Sequence, residues 1–161
     1  MKKALLLKIA LLCSISMLSQ STWMPCSTGL WGGFVRASAF SVYNNQSIVG
    51  GHFWSAGSAG LSDNIVAWNG TNWSAMGAGL NNDPNYGEIL SLAVFNNELY
   101  AGGYVSSNTA APINCIAKWN GTSWENVVSS IESFSTNPAI SSMTVYNNEL
   151  YVAGSFTSIG G

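Results

Sequence analysis

The sequence predicts an all-β chain of antiparallel sheets, about two and a half four-stranded units of about 51 residues each. Three observations predict it. The stretch VFNNELYAGG (residues 94–103) is nearly rewritten as VYNNELYVAG (residues 145–154). Val42-Tyr43-Asn44-Asn45, Val94-Phe95-Asn96-Asn97 and Val145-Tyr146-Asn147-Asn148 stand 52 and 51 positions apart. AWNGTNW (residues 67–73) returns as KWNGTSW (residues 118–124), and Gly50-Gly51 returns as Gly102-Gly103 and as Ala153-Gly154. Separate elements that share one period mark a repeat far more firmly than any one alone.

The N-terminus, residues 1–21, reads as a secretory signal. Lys2, Lys3 and Lys8 make a basic start, residues 9–18 a short apolar run, and Ser19 and Ser21 a small-residue cleavage region. The run is too short to span a bilayer, so no transmembrane span is expected after cleavage. Leu12 before Cys13 and Pro25 before Cys26 are not the small residues of a lipoprotein signal. The chain is therefore expected to be secreted or displayed at the cell surface.

The mature part, residues 22–161, has little charge. Apart from the signal it holds only Arg36 and Lys118 against seven acids, a formal charge of −5. A surface that grips phosphates needs clustered Lys and Arg, so nucleic acid is excluded as a partner. Polarity comes instead from Asn, Ser, Thr and Gly, which suit turns. Cleavage removes Cys13. Cys26 and Cys115 fall at non-equivalent repeat positions, and two unpaired thiols are expected over a disulfide. His52 is the only histidine, so the chain builds neither a catalytic triad nor a zinc site by itself. No metal, cofactor or catalytic residue is assigned.

The middle unit gives the element order. Residues 90–95 alternate as a strand, Asn96-Asn97 is a tight turn, and residues 98–101 return. That turn pairs Val94 with Leu99 and Leu92 with Ala101, all on one face, taken as the buried one. Residues 116–119 form the third strand, Asn120-Gly121 the next turn, and residues 122–127 the fourth. A two-residue or a four-residue loop would both place Trp119 and Trp124 on one face. The same holds for Trp68 and Trp73. Each indole buries about 150–250 Å² when packed, so the four tryptophans are expected to pack unit against unit. Val94 and Leu99 complete this structural core.

A strand ending in Gly-Gly, followed by a hairpin with an aromatic residue and a Trp on its arms, resembles the kelch motif of β-propellers. KWNGTSW stands where kelch repeats carry a Tyr, a turn and a Trp, although Trp68 and Trp119 replace the Tyr and the interval is shorter. The units are more similar to the kelch-like propeller repeats of large secreted bacterial proteins. The resemblance spans residues 23–161 and implies a partial β-propeller within the galactose-oxidase/kelch-type superfamily. It carries no activity with it, because propellers host many functions. The copper site of galactose oxidase needs Tyr and His ligands that one histidine cannot reproduce. The Asp-box hairpin of sialidases needs a Ser-x-Asp that is missing here.

Trp23 takes the place of Trp73 and Trp124, and Gly29 follows it as Gly79 follows Trp73. The third unit holds two strands and half a loop. The expectation is the N-terminal piece of a longer chain whose remaining blades complete the ring, with assembly of several copies as the alternative.

Antiparallel connection puts the tight Asn turns at one end of every sheet. The long segments at residues 53–63, 77–87, 105–114 and 129–138 fall at the other end, where function on a rigid scaffold tends to sit. His52, Trp54, Asp83, Tyr86 and Tyr104 are the binding candidates. Asp83 with Glu88 is a carboxylate pair that would do acid–base work only if the two converge. The function expected is a secreted binding or scaffold module for an extracellular protein or carbohydrate. The alternative is a fragment of an extracellular enzyme, a glycan-active hydrolase or oxidase, with catalytic residues beyond residue 161.

Overall fold

The computed structural model describes residues 26–80, 87–106, 114–135 and 137–160. The signal segment, Trp23, Asp83 and Tyr86 lie outside them. The described residues form antiparallel sheets, with no helix among them. In chain order the first strands are β1 (Leu30–Trp31), β2 (Arg36–Tyr43), β3 (Gln46–His52), β4 (Ser55–Ala56), β5 (Ile65–Trp68) and β6 (Trp73–Ala75). Then come β7 (Glu88–Phe95), β8 (Glu98–Ser106), β9 (Asn114–Trp119), β10 (Trp124–Asn126), β11 (Ser130–Glu132), β12 (Ile140–Tyr146), β13 (Glu149–Gly154) and β14 (Ser158–Gly160). The first sheet runs β2-β3-β5-β6, the second β7-β8-β9-β10, and β12-β13 is a hairpin that forms the third.

Hairpins β2–β3, β7–β8 and β12–β13 share one register. Val94 faces Leu99 and Leu92 faces Ala101, as Val145 faces Leu150. Each turn is Asn-Asn with both residues at positive φ: 49° and 59°, 50° and 61°, 48° and 59°. Such turns match the right-handed twist of the strands, and Asn tolerates the left-handed conformation better than other residues with a β-carbon because its short polar side chain can hydrogen-bond locally. Asn97→Ala is therefore expected to cost about 1–2 kcal/mol, and Asn97→Gly to be nearly neutral. Urea midpoints of the two variants check this; equal midpoints would remove the backbone argument.

The Gly-Gly pairs do not end their strands, as the sequence suggested. Gly102 and Gly103 sit inside β8, opposite Ser91 and Ile89, where the register shifts across a bulge. The same shift falls between Ala37 and Ala39 and between Ile140 and Ser142. A bulge draws the partner backbone in. A Cβ on Gly51, Gly103 or Gly154 would overlap the carbonyl oxygen of Arg36, Glu88 or Ala139 respectively. Glycine is thus required three times by the same close approach.

The tryptophan loop has four residues, so Trp119 faces Trp124 and Trp68 faces Trp73 directly. Their ring centroids lie 5.2 Å and 5.0 Å apart, tilted by 50° and 48°. Asn69 and Asn120 brace these loops, each Oδ1 accepting from the two backbone N–H groups at 71 and 72, or at 122 and 123. The fourth strand, β10, is shorter than residues 122–127 because this loop takes up its start.

The sheets stack. Ala39, Ile48, Ile65 and Ala67 of the first sheet form one core cluster with Leu99, Ala101 and Ala117 of the second; Leu92, Val94, Trp119 and Trp124 pack against it. The opposite face of the second sheet, with Tyr100, Ile116 and Phe95, clusters with Ile140, Met143, Leu150 and Val152. Between sheets, Trp124 Nε1 donates to the Met76 carbonyl at 3.1 Å. Trp73 Nε1 donates to the Cys26 carbonyl at 2.8 Å, three residues after position 23 as Met76 is three after Trp73. Gly29 and Gly79 then make the same turn, each N–H donating to the oxygen of residue 26 or 76 at 3.2 Å.

Along the tight-turn end, Lys118 Nζ lies 2.9 Å from Glu98 Oε1, and the Tyr100 hydroxyl donates to Glu98 Oε2 at 2.9 Å. The Lys118 hydrogen bond, then the Tyr100 one, holds the Glu98 carboxyl below its ordinary value, while Glu98 raises Lys118. A carboxyl depressed on folding stabilises above its unfolded pKa and ceases to do so as pH falls through its folded value. A raised lysine stabilises below its unfolded pKa and ceases as pH rises through its folded one. The cluster therefore acts between the carboxylate and lysine ranges, modestly because it is exposed to solvent. Glu98→Gln is expected to flatten part of the acid limb of a stability–pH profile, and an unchanged limb would show that Glu98 is not its source.

Candidate functional site

The end opposite the Asn turns is not plain loop. β1 pairs with β4, and β11 pairs with β14, as short two-stranded ribbons. Each joins the segment entering a sheet to the segment following that sheet's second strand. The ribbons mount the first candidate residues. Trp54 N–H donates to the Trp31 carbonyl at 3.0 Å, just as Thr157 N–H donates to the Glu132 carbonyl at 2.7 Å.

Trp31 and Trp54 form an exposed pair, their ring centroids 6.2 Å apart and edge-on at 86°. Close to half of each residue's surface is open, 45% and 42%. Gly32 allows the approach, since a Cβ there would stand 2.9 Å from the Trp54 backbone nitrogen. Phe34, in the same segment, is 86% exposed. Around the site, Ser55, Ser62 and Asn64 are buried and satisfied: Asn64 Oδ1 accepts from Phe53 N–H at 3.1 Å, and Ser62 Oγ donates to Ile65 O at 2.6 Å. Ser55 Oγ donates to the Gly60 carbonyl. The aromatic pair therefore stands on a fixed base.

His52 and Tyr104 share a row with two charged residues. His52 pairs with Arg36 in β2, and Tyr104 pairs with Glu88 in β7. Arg36 Nη1 lies 3.0 Å from Glu88 Oε2, and Ser38 Oγ donates to Glu88 Oε1 at 2.6 Å. The row thus runs His52, Arg36, Glu88, Tyr104 across both sheets. His52 Nδ1 is 2.8 Å from the Gly87 carbonyl oxygen. Tyr104 is 43% exposed.

No protein-family model, curated protein or solved structure matches this chain. The site's chemistry thus rests on its own residues. Glu88 is buried, and both of its oxygens are committed to Arg36 and Ser38. That engagement makes it a joint between sheets rather than a free acid or base. Among the described residues no group of three or more His, Cys, Asp or Glu could hold a metal ion. Among them, too, no helix is long and apolar enough to cross a membrane.

Both described cysteines are free. Cys26 is exposed, whereas Cys115 is buried with its Sγ 3.1 Å from the Pro138 carbonyl oxygen, and burial pushes its thiol up. The tryptophans Trp68, Trp73, Trp119 and Trp124 belong to the packing, as do Val94 and Leu99.

Of the candidates named from the sequence, Trp54 lies in the exposed indole pair and His52 and Tyr104 lie on the charged row; Trp31 and Arg36, which adjoin them, are not among those candidates. Trp31 has no counterpart in the repeat, since Glu132 holds its place in the ribbon β11–β14. Arg36 could have been found by its spacing: it stands 52 positions before Glu88, at the same repeat position. What the arrangement offers is apolar ring surface beside hydrogen-bonding groups on a rigid mount. At the same end of the third sheet, Phe134 and Phe156 edge a shallow depression of about 280 Å³.

Proposed function

We propose that the chain is part of a secreted kelch-like β-propeller and acts as a binding module for protein or glycan through the end that carries Trp31 and Trp54. The observation that supports binding is the exposed indole pair held on the β1–β4 ribbon. Indoles combine a large apolar surface with an N–H, and mounting them on paired backbone removes much of the ordering cost of capture. Supporting the propeller reading are the shared hairpin register and the neighbouring first strands, where Met143 N–H donates to Ser91 Oγ at 2.9 Å. The segment at residues 1–21 supplies export.

A glycan and extracellular-protein array probed with the wild-type chain and with Trp54→Ala tests the binding reading. The variant is expected to lose at least about tenfold in affinity for the ligand found, about 1.4 kcal/mol, with its thermal midpoint little changed. A ligand held equally well by both, or no ligand at all, contradicts it. Export is checked separately by the N-terminus of protein recovered from the medium, expected near residues 19–21.

A further inference from the structure

The chain writes Asn-Gly twice, at Asn69-Gly70 and Asn120-Gly121, each time opening the loop between two facing tryptophans. Both asparagines are exposed. Asn before Gly is the pairing most open to attack of a main-chain nitrogen on a side-chain amide, because glycine has no Cβ to shield that nitrogen.

The oxygen ends of the two side chains are alike. Asn69 Oδ1 accepts from Thr71 N–H at 2.9 Å and from Asn72 N–H at 2.8 Å, and Asn120 Oδ1 accepts from Thr122 and Ser123 N–H at the same distances. Backbone donors aimed at a carbonyl oxygen stabilise the negative charge that gathers there when its carbon is attacked. The nitrogen ends differ. Asn120 Nδ2 donates to Glu125 Oε1 at 2.6 Å and to Ser123 Oγ at 3.1 Å. In the first unit Ser74 and Asn72 stand at the positions of Glu125 and Ser123. Ser74 Oγ is turned to the Ala67 carbonyl at 3.5 Å, and among the described residues Asn69 Nδ2 has no acceptor. Attack on Cγ requires the amide to turn towards the glycine nitrogen and to give up its planarity. The charge-assisted bond to Glu125 opposes both at Asn120. At Asn69 the nitrogen end is free to turn about the held oxygen.

We propose that Asn69 is a site of spontaneous modification by loss of ammonia, and that Glu125 shields its repeat counterpart Asn120. The Gly70 nitrogen bonds to Asn69 Cγ, the Cγ–Nδ2 bond breaks, and ammonia leaves with the proton of the former Gly70 N–H. Water then opens the cyclic imide, leaving an aspartate at position 69 or, where the main-chain carbonyl is attacked, an isoaspartate. The aspartate keeps the contacts to the backbone at 71 and 72 and strengthens them by its charge. The isoaspartate routes the main chain through Cγ and so lengthens the loop that holds Trp68 against Trp73. Trp73 in turn holds the Cys26 carbonyl, so the change reaches the segment that leads into β1. The inference stands apart from the ligand-binding reading.

Incubation of the full chain at mildly alkaline pH, followed by chymotryptic peptide mapping in the mass spectrometer, tests it. Cleavage after the tryptophans separates the two loops. In the folded chain position 69 is expected to react at least about fivefold faster than position 120, the rate equivalent of one hydrogen bond. In guanidinium chloride the two are expected to react alike, because Trp-Asn-Gly-Thr is common to both. Glu125→Ala, its fold confirmed by circular dichroism, is expected to bring position 120 to the rate of position 69. Equal rates in the folded chain, or faster reaction at position 120, overturn the inference. So does an unreacted position 69 over a time in which the unfolded chain reacts. A rate at position 120 that Glu125→Ala leaves unchanged, or a difference between the loops that persists in guanidinium chloride, overturns the shielding by Glu125.

Discussion

Gly103→Ala is expected to lower stability by at least about 4 kcal/mol, enough to unfold a domain of ordinary stability. Its cause is not conformational freedom, since Gly103 does not have a positive φ. The new methyl would overlap the Glu88 carbonyl oxygen and press on Leu90 N, both of them backbone. Backbone cannot swing aside as a side chain can, so relief requires opening the β7–β8 bulge. That bulge sets the position of Glu88, and Glu88 ties the second sheet to Arg36 and Ser38 of the first. The damage should therefore reach beyond one hairpin. Gly121→Ala is the control: Gly121 has φ +103° and nothing within 4 Å of a Cβ. It should cost only the backbone penalty, about 1–2 kcal/mol. Urea unfolding of the two variants separates the cases, and equal costs would mean that close approach is not what fixes glycine at 103.

Trp73→Ala is expected to cost about 3–5 kcal/mol, the range for removing a large buried aromatic. Trp73 is buried against Val49, Val66, Phe53 and Ala56 and stacks on Trp68. Its indole N–H satisfies the Cys26 carbonyl and so anchors the segment that leads into β1. Trp73→Phe keeps most of the ring but loses that bond, at about 1 kcal/mol plus a smaller packing loss. The difference between the variants isolates apolar burial. Thermal or urea midpoints measure it, and a Trp73→Ala variant within 1 kcal/mol of wild type, taken as roughly the size of one hydrogen bond, would show that the indole is not core. Because the β1–β4 ribbon follows this anchor, loss of Trp73 should also loosen the mount of Trp31 and Trp54.

Most of the fold could be read from the period of the sequence. Asn-Asn between alternating runs specified turn and register at once, because side chains alternate and the turn has two residues. The single buried face expected from it needs correction: the opposite face, with Tyr100 and Ile116, is buried too, because the third sheet packs on it, while Val42 of the first sheet is exposed. The indole pairing survived an undecided loop length for the same reason. What escaped was local. Gly102-Gly103 looked like a strand end because glycine is poor in strands, whereas here it serves a bulge within one. The ribbons escaped because strands of two or three residues leave no periodic trace. At the site, exposed aromatics beside glycines carried only a weak signal. Trp31 lacks a repeat partner, and nothing in its neighbours announces that Trp54 lies against it. Glu88 was weighed as a possible acid because its partner Arg36 is remote in sequence, though the repeat aligns the two.

The account rests on sheets that mate through matched positions, and a double-mutant cycle on Gly102 and Ile140 tests it most directly. Gly102→Ala and Ile140→Ala are each expected to destabilise the chain, the first by overpacking and the second by leaving a cavity. Combined, they should recover part of the loss, with a coupling of about 1–2 kcal/mol between them. Losses that simply add, to within about 0.5 kcal/mol, would contradict the contact and with it the stacking of the second sheet on the third.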